Sequence, residues 1–476
     1  MTTTQQSTDL TSLTASALIE GYKKKHFTPV EVLDAINDRI DALNPDINAF
    51  YVRERDVAAR SAKASESRWV SGLTVGELDG VPITLKETLA TSGSPIPSGT
   101  AALAEAPAQI ADSPVAQSTN TEGAVRLGKT VMPDYGMLSS GVSSLHGITR
   151  NPWNREWTVG GSSAGSSAAA AARFGPIHIG SDIGGSVRLP ATWTGLASLK
   201  PTYAIVPVDP PYMGRTIGPL ARTVDDVAIA MHTIARPDAL DRDYTYQRGP
   251  TNWGAVATEC FDEPRIATLK VAIHTDAGCG LATDPQVRAI VEAVGQTFSR
   301  AGAAVEAIDP ILSPNELEKL DLFLRARSWL DIKNLGQPQR DRVLPYIMQW
   351  VLGAADIAGT QLMDAYQTVQ KMRSKTIQAT RLYDVVLSPV APVAAFPAHW
   401  HGPTNDPDTA LDHIAYTAPY NFSGQPAATV NAGFTSDGRP VGVQLAGRRF
   451  DDVRLLQIVK WYEGARSEDA VPQWPC

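Results

Sequence analysis

Apolar positions along the chain recur with two periods. Leu33, Ile36, Ile40 and Leu43 fall three or four apart, which marks one face of a helix. Just ahead of them, Thr28-Pro29-Val30-Glu31 forms a capping box with proline at the first helical position. Ser313-Pro314-Asn315-Glu316 repeats that start signal. Thr223-Val224-Asp225-Asp226 predicts a helix from Val224 to about Ala235, and Asp284-Pro285 predicts one ending near Gly302. Elsewhere the apolar runs are short and β-branched. They predict strands over Val81–Lys86, Ile177–Gly180, Leu269–His274, Ala304–Ile308, Val385–Ser388, Ala427–Asn431 and Val441–Leu445. Strands and helices alternate along most of the chain, which is the α/β pattern. Residues 92–121, rich in Ser, Pro, Thr and Ala, and 395–412, rich in Pro, His and Asp, read as long surface loops.

One stretch breaks the alternation. TVGGSSAGSSAAAAARFGPIHIGSDIGGSVRLP, from Thr158 to Pro190, holds two Gly/Ser clusters around a block of alanines. A flexible linker could have this composition. Ser163–Arg173, however, is rich in alanine, the best helix former. Gly175 and Pro176 then stop the helix, and PIHIG reads as extended. The order is loop, helix, strand, loop, with a serine cluster in each loop, where backbone N–H groups are available. A phosphate cradle would need the Walker lysine or GxGxxG; Gly165 is followed by Ser166 and Ser167, and GxGxxG is absent. The remaining role for the clusters is chemistry shared between serines and N–H groups.

Composition narrows the class. A chain of 476 residues, 43% hydrophobic and 19% charged, can bury a large core. The 42 basic and 50 acidic residues give a net charge of −8, which opposes general nucleic-acid binding. Cys260, Cys279 and Cys476 are too scattered for a disulfide framework or thiolate cluster, so a reducing, cytoplasmic setting is expected. The first residues lack a basic start followed by an apolar run, and no stretch approaches the ~18 apolar residues of a membrane span. The histidines show no HExxH spacing, and His399 and His401 sit in a Pro/Gly-rich loop; no metal site is predicted.

Ser186 is the candidate nucleophile. Gly184 and Gly185 before it let the backbone approach a substrate carbonyl, and successive N–H groups there can converge on one oxygen. A serine needs a base. The local pattern GGSVR is not a GxSxG elbow, and His178 lies in a strand where local hydrogen bonding is expected, although order along the chain never excludes a triad. Lysine is the other option. In LDGVPITLKETLATSG, Val81, Ile83 and Leu85 share one strand face, with Thr84 and Lys86 on the other. Periodicity alone favours a solvated lysine at a strand end.

The motifs taken together alter that balance. GVPITLKE, NPWNREWTVGGSSAGSSAA, GSDIGGSVRLP with GLASLKPTY, GPLARTVDDVA, APYNFSGQPAATV and DGRPVGVQLAGRRFDD occur in this order over roughly residues 10 to 465. The chain thereby resembles the amidase signature family of serine hydrolases. That resemblance implies an α/β fold: one large domain over 1–476 with a mixed central β-sheet covered by helices on both faces. It implies a signature core at about 75–205, N-terminal helices at about 10–70 and a variable pocket region at about 310–410. Carried over residue by residue, it implies Lys86 as catalytic lysine, Ser162 as bridging serine after a cis Gly161–Ser162 bond, and Ser186 as nucleophile. The N–H groups of Ile183, Gly184, Gly185 and Ser186 would form the oxyanion hole. Ser163 would support the relay, and Asp182 and Arg188 would brace the loops.

The activity implied is hydrolysis of a small or medium amide, apolar or aromatic in part, through an acyl-enzyme, without metal or cofactor. The expected partner is the small-molecule substrate alone, with neither nucleic acid nor membrane, and the protein is expected to be a monomer or homodimer. The alternative is the A-type component of an amidotransferase, releasing ammonia from glutamine, or a carbamate, urea or hydrazide hydrolase. Pocket walls are expected from Met137, Leu138 and Ser139 and from Leu322, Phe323 and Trp329, with Tyr346 and Trp350 nearby, although each apolar residue also fits a plain core role. Three departures stand out: Ala164-Gly165-Ser166-Ser167 where the family often has SGGS, Val159 where it often has proline, and Leu189 where the amidotransferase component commonly has glutamine.

Overall fold

The computed structural model describes residues 9–475 apart from 239, 241, 243–250 and 260. Its strands are β1 (Phe50–Arg53), β2 (Pro82–Lys86), β3 (Val125–Thr130), β4 (Val142–Ser143), β5 (Gly147–Ile148), β6 (Ile177–Asp182) and β7 (Ala197–Lys200). They continue with β8 (Thr216–Ala221), β9 (Lys270–Ile273), β10 (Ala304–Ala307), β11 (Val385–Pro389), β12 (Ala427–Phe434) and β13 (Pro440–Ala446). All but the small β4–β5 pair join one sheet in the order β1-β3-β2-β6-β8-β7-β12-β13-β11-β9-β10. β2 runs parallel to both β3 and β6, whereas β6–β8 and β12–β13 are antiparallel. The sheet is therefore mixed.

Apolar residues leave the sheet in two directions. Ile83, Leu85, Ile177 and Ile179 pack with helices Val224–Ile234 and Asp452–Ala465. Val125 and Leu127 pack with helices Pro29–Ile47 and Ala164–Ala171. The capping boxes at Thr28 and Ser313 form as the sequence predicts, with each glutamate returning to the cap N–H. Helix Val224–Ile234 starts on Thr223, and the helix after Asp284 ends at Arg300.

Four strands of the large sheet escape the sequence pattern, each for a local reason, as does the short β4–β5 pair. β3 reads VRLGKT, yet every residue is buried: Arg126 pairs with Glu54, and the Lys129 ammonium donates to the Leu89 carbonyl. β8 reads TIGPLA, with two strand-weakening residues. Gly218 is required there, because a Cβ would stand 2.0 Å from the Leu199 oxygen of the adjoining strand. β1 and β7 are only four residues long. The predicted loop over 92–121 needs correction: Ser113 caps a helix, Pro114–Thr121, whose Pro114, Val115, Ala116 and Thr119 are buried. Ser113-Pro114 is itself a start signal of the kind used elsewhere. Residues 395–412 are irregular, as expected, but Ala395, Phe396 and Ala398 at their start are buried.

The parallel pair β2–β6 lies inside the sheet; β6 ends in the turn that carries Ser186, and β2 ends at Lys86, beside Ser162. Ligands in open α/β sheets bind beyond such carboxyl ends.

Candidate active site

Lys86 is the last residue of β2 and is 1% exposed. Because β3 and β6 flank it, the solvated strand-end alternative is removed. Its Nζ lies 2.7 Å from Ser162 Oγ and 3.1 Å from Ser181 Oγ. Burial pushes the ammonium down to about 7, and the Arg215 guanidinium adds to that; the carboxylates of Asp182 and Glu87 oppose it. A lysine at this value is partly neutral near pH 7 and can accept a proton.

Each serine of the first cluster has its own place. The Gly161–Ser162 peptide is cis. Gly161 fits against segment 138–140 so closely that a Cβ would meet the Ser140 oxygen at 2.5 Å and the Leu138 oxygen at 2.7 Å. Ser162 faces Lys86. The Ser163 N–H donates to the Ser186 carbonyl at 3.2 Å, and its hydroxyl lies 3.3 Å from both the N–H and the carbonyl of Ser181. Ser166 Oγ bonds Thr130 Oγ1 at 2.8 Å, and Ser167 donates to the carbonyls of Val159 and Ala164. The first cluster thus presents one hydroxyl to the lysine and uses three to join loop, helix and sheet.

The second cluster turns between β6 and helix Arg188–Thr194. Asp182 organises it, accepting from the N–H groups of Gly185 at 2.8 Å and Val187 at 3.0 Å and pairing through both oxygens with Arg188. Burial alone would raise the Asp182 carboxyl, but the Arg188 guanidinium and Asn421 hold it well below the ordinary carboxylate range. Arg188 extends the brace to Gln444 at 2.6 Å and to the Thr417 carbonyl at 2.9 Å. Of the four N–H groups expected at the oxyanion hole, that of Gly185 is occupied by Asp182. Those of Ile183, Gly184 and Ser186 have no acceptor among the described residues. Ser162 and Ser186 line one cavity together.

His178 lies elsewhere. It is fully buried; its Nδ1 is 2.8 Å from Thr84 Oγ1 and its Nε2 is 3.1 Å from the Gly175 carbonyl. Both ring nitrogens are engaged, and burial pushes the imidazole down to about 3.

Two cavities meet at Ser186. One, of about 220 Å³, is lined by Lys86, Ser162, Ser181, Tyr212, Arg215 and Arg327 among others. The second, about 90 Å³, is mostly apolar, with Met137, Leu138, Leu189, Leu324, Trp350 and Ile414. Ser139 joins the apolar cavity, where its hydroxyl lies 2.7 Å from His413 Nε2. Met137, Leu138 and Ser139 all line this apolar cavity. Leu322, Phe323 and Trp329 are not among the lining residues of either cavity. Helix Pro314–Ile332 instead turns Leu324, Arg327 and Ser328 toward them, three residues spaced as one helix face. Phe323 packs near Tyr366, with ring centroids 6.1 Å apart, and Trp329 lies under the Arg340 guanidinium at 5.5 Å. Apolarity alone points to the wrong side of this helix; the 3–4 spacing around Leu324 is the available signal. Arg215, beside β8, escapes sequence reasoning because nothing in GRTIGPL sets it apart.

Among the described residues no helix is long and apolar enough to cross a membrane. Comparison with known proteins agrees with the motif order. An acylamidase of Rhodococcus erythropolis is 32% identical over 468 residues, spanning 95% of each chain. The A-type component of the glutamyl-tRNA(Gln) amidotransferase of Symbiobacterium thermophilum is 30% identical over 492 aligned residues, covering 95% of this chain and 96% of that one. The crystal structure of a bacterial aryl acylamidase of the amidase signature family superposes with a TM-score of 0.85 at 25% identity, over 95% of this chain and 96% of the other. The Amidase family model matches residues 31–456, so with its mixed sheet and both glycine-serine clusters this chain belongs to the amidase signature family of amide hydrolases.

Proposed function

We propose that the protein hydrolyses a small or medium linear amide with Ser186 as nucleophile and Lys86–Ser162 as proton relay. The observation that carries this reading is the buried Lys86 Nζ at 2.7 Å from Ser162 Oγ, on the wall of the cavity that also holds Ser186. Neutral Lys86 takes the Ser162 proton as Ser162 takes that of Ser186. The Ser186 oxygen attacks the amide carbon, and the oxyanion is received by the N–H groups of Ile183, Gly184 and Ser186. The proton returns through Ser162 to the nitrogen, the C–N bond breaks, and the amine leaves. Water then cleaves the Ser186 ester along the same relay, freeing the acid.

The apolar cavity supports an apolar or aromatic acyl group. The amidotransferase alternative draws on the 30% identity to the A-type component of such an enzyme. Its discriminating substrate is glutamine, with ammonia as product. The scattered cysteines and acidic balance support a cytoplasmic enzyme that acts on a small molecule rather than on nucleic acid.

Ser186→Ala is expected to abolish turnover across a panel of aryl and alkyl amides while the circular dichroism spectrum is unchanged. A fluorophosphonate should label wild type at Ser186. Label mapped to another residue, or a mutant as active as wild type, would overturn the assignment.

A further inference from the structure

The cavity on the relay side carries positive charge without a lining carboxylate. The guanidiniums of Arg215 and Arg327 line it, and no Asp or Glu does among the described residues. Arg215 is 8% exposed. Its guanidinium donates to Thr88 Oγ1 at 3.0 Å and to the Pro210 carbonyl at 3.4 Å, both neutral acceptors. No carboxylate of the described residues lies within 4.0 Å of it; the nearby Asp209 is paired with Arg242 at 3.0 Å. Arg327 lines both this cavity and the apolar one. It stacks over the Tyr212 ring at 4.7 Å and pairs with Asp331 at 2.7 Å, an ion pair about one-third exposed. A buried guanidinium is costly unless an anion or strong acceptors meet it. Among the described residues no carboxylate meets Arg215, and a carboxylate on the ligand would supply that partner.

Geometry also says which part of the ligand it belongs to. The amine that leaves must receive its proton from Ser162, and Ser162 lines the cationic cavity, not the apolar one. The amine substituent therefore extends toward Arg215, which lines the relay-side cavity alone, with Arg327 where the two cavities adjoin, and the acyl substituent toward Leu138, Leu189 and Ile414. Resting on the amide-hydrolase reading above, we infer that the preferred substrates are amides whose amine portion bears a carboxylate, that is, N-acyl amino acids with an apolar acyl group, held through Arg215 and Arg327. A guanidinium suits this role because its planar fork matches a carboxylate.

The test compares two series with the same acyl groups, butanoyl and benzoyl. One series joins them to glycine, β-alanine and 4-aminobutyrate, and the other to 2-methoxyethylamine. Wild type should show kcat/KM at least tenfold higher on the best carboxylate amide than on its neutral counterpart. Arg215→Gln and, separately, Arg327→Gln should each lower kcat/KM on the carboxylate amides at least tenfold more than on the neutral ones. Rates are taken at the high-pH plateau of each variant, because removing Arg215 also removes a charge that acts on Lys86. Two variants are used because Arg215 is buried and Arg327 is not. Turnover of the neutral series without any advantage for the carboxylates overturns the inference and leaves amide hydrolysis standing. So does an equal loss on both series in both variants. No turnover of either series, nor of a simple anilide, overturns the amide-hydrolase reading and this inference with it.

Discussion

The amide N–H of Gly185 is held by the carboxylate of Asp182, at 2.8 Å, within the turn that presents Ser186. The same carboxylate takes the Val187 N–H and the Arg188 guanidinium, so one side chain sets the direction in which the remaining N–H groups point. Asp182→Ala would leave Arg188 buried with its charge unpaired. Breaking such a pair costs about 3–5 kcal/mol. We expect a lowered urea midpoint together with loss of fluorophosphonate labelling. The sign of the pH effect follows from a carboxyl held below its usual value. Its stabilisation is fully present above about pH 4, the unfolded value. It is lost only as pH falls further, through the depressed folded value. Urea titrations of wild type and Asp182→Asn should therefore differ most at neutral pH and converge in strong acid.

His178 tests the histidine-based alternative directly. Its Nδ1 accepts from Thr84 and its Nε2–H donates to Gly175, which leaves no lone pair for Ser186. His178→Asn should keep kcat/KM within about threefold. It should cost stability, since an unsatisfied buried partner carries about 1–3 kcal/mol. A loss near the roughly 10⁴-fold that removing a triad member's function causes would reinstate a serine-histidine mechanism.

Gly161 couples the substrate-facing segment 138–140 to the relay. A Cβ there would stand 2.5–2.8 Å from backbone atoms of Leu138 and Ser140, none of which can swing away as a side chain could. Gly161→Ala must displace either that segment or Ser162. We expect kcat on amides to fall at least ~100-fold, because small misplacement of a relay is costly. Thermal unfolding should move down by several degrees. A variant that unfolds like wild type and turns over normally would show that Ser162 needs no such support.

The site was more legible than its walls. Gly184, Gly185 and Ser186 stand in a cluster whose composition demands a local reason, whereas Lys86, which periodicity alone leaves solvated, and Ser162 were legible only through the family resemblance; the structure joins Lys86 to Ser162 by a hydrogen bond and sets Ser186 on the wall of the same cavity. Strands with ordinary apolar runs, such as β9 and β11, were legible because one physical factor, apolar burial, dictates them. β3 and β8 were not, because Lys129 is accommodated by the Leu89 carbonyl and Gly218 by the backbone of Leu199, partners distant in sequence. The walls failed similarly. Phe323 and Trp329 are the most conspicuous apolar residues of their helix, yet orientation about its axis was set by packing against other helices. Arg215 became notable only once its guanidinium was found to have no carboxylate of the described residues within 4.0 Å and only neutral acceptors, Thr88 and Pro210.

Lys86 yields the sharpest test. If it is the relay's terminal base, only its neutral form is active. Burial and Arg215 lower it to about 7, so kcat/KM should rise with pH through that value and level off above about 8. At pH 5 the neutral fraction is about 100-fold smaller than on the plateau. Lys86→Met keeps the apolar stem and removes the proton site. An amine is a poor leaving group and needs its proton as the C–N bond breaks, whereas an activated aryl ester expels a phenoxide with little help. General acid–base assistance is worth about 10²–10⁴-fold, so amide hydrolysis by Lys86→Met should fall by at least ~100-fold more than hydrolysis of a nitrophenyl ester with the same acyl group. The acid limb near pH 7 should vanish from the residual ester activity. Equal losses on matched amide and ester, with the limb still in place, would mean that Lys86 only positions Ser162 and that the titrating base is another group.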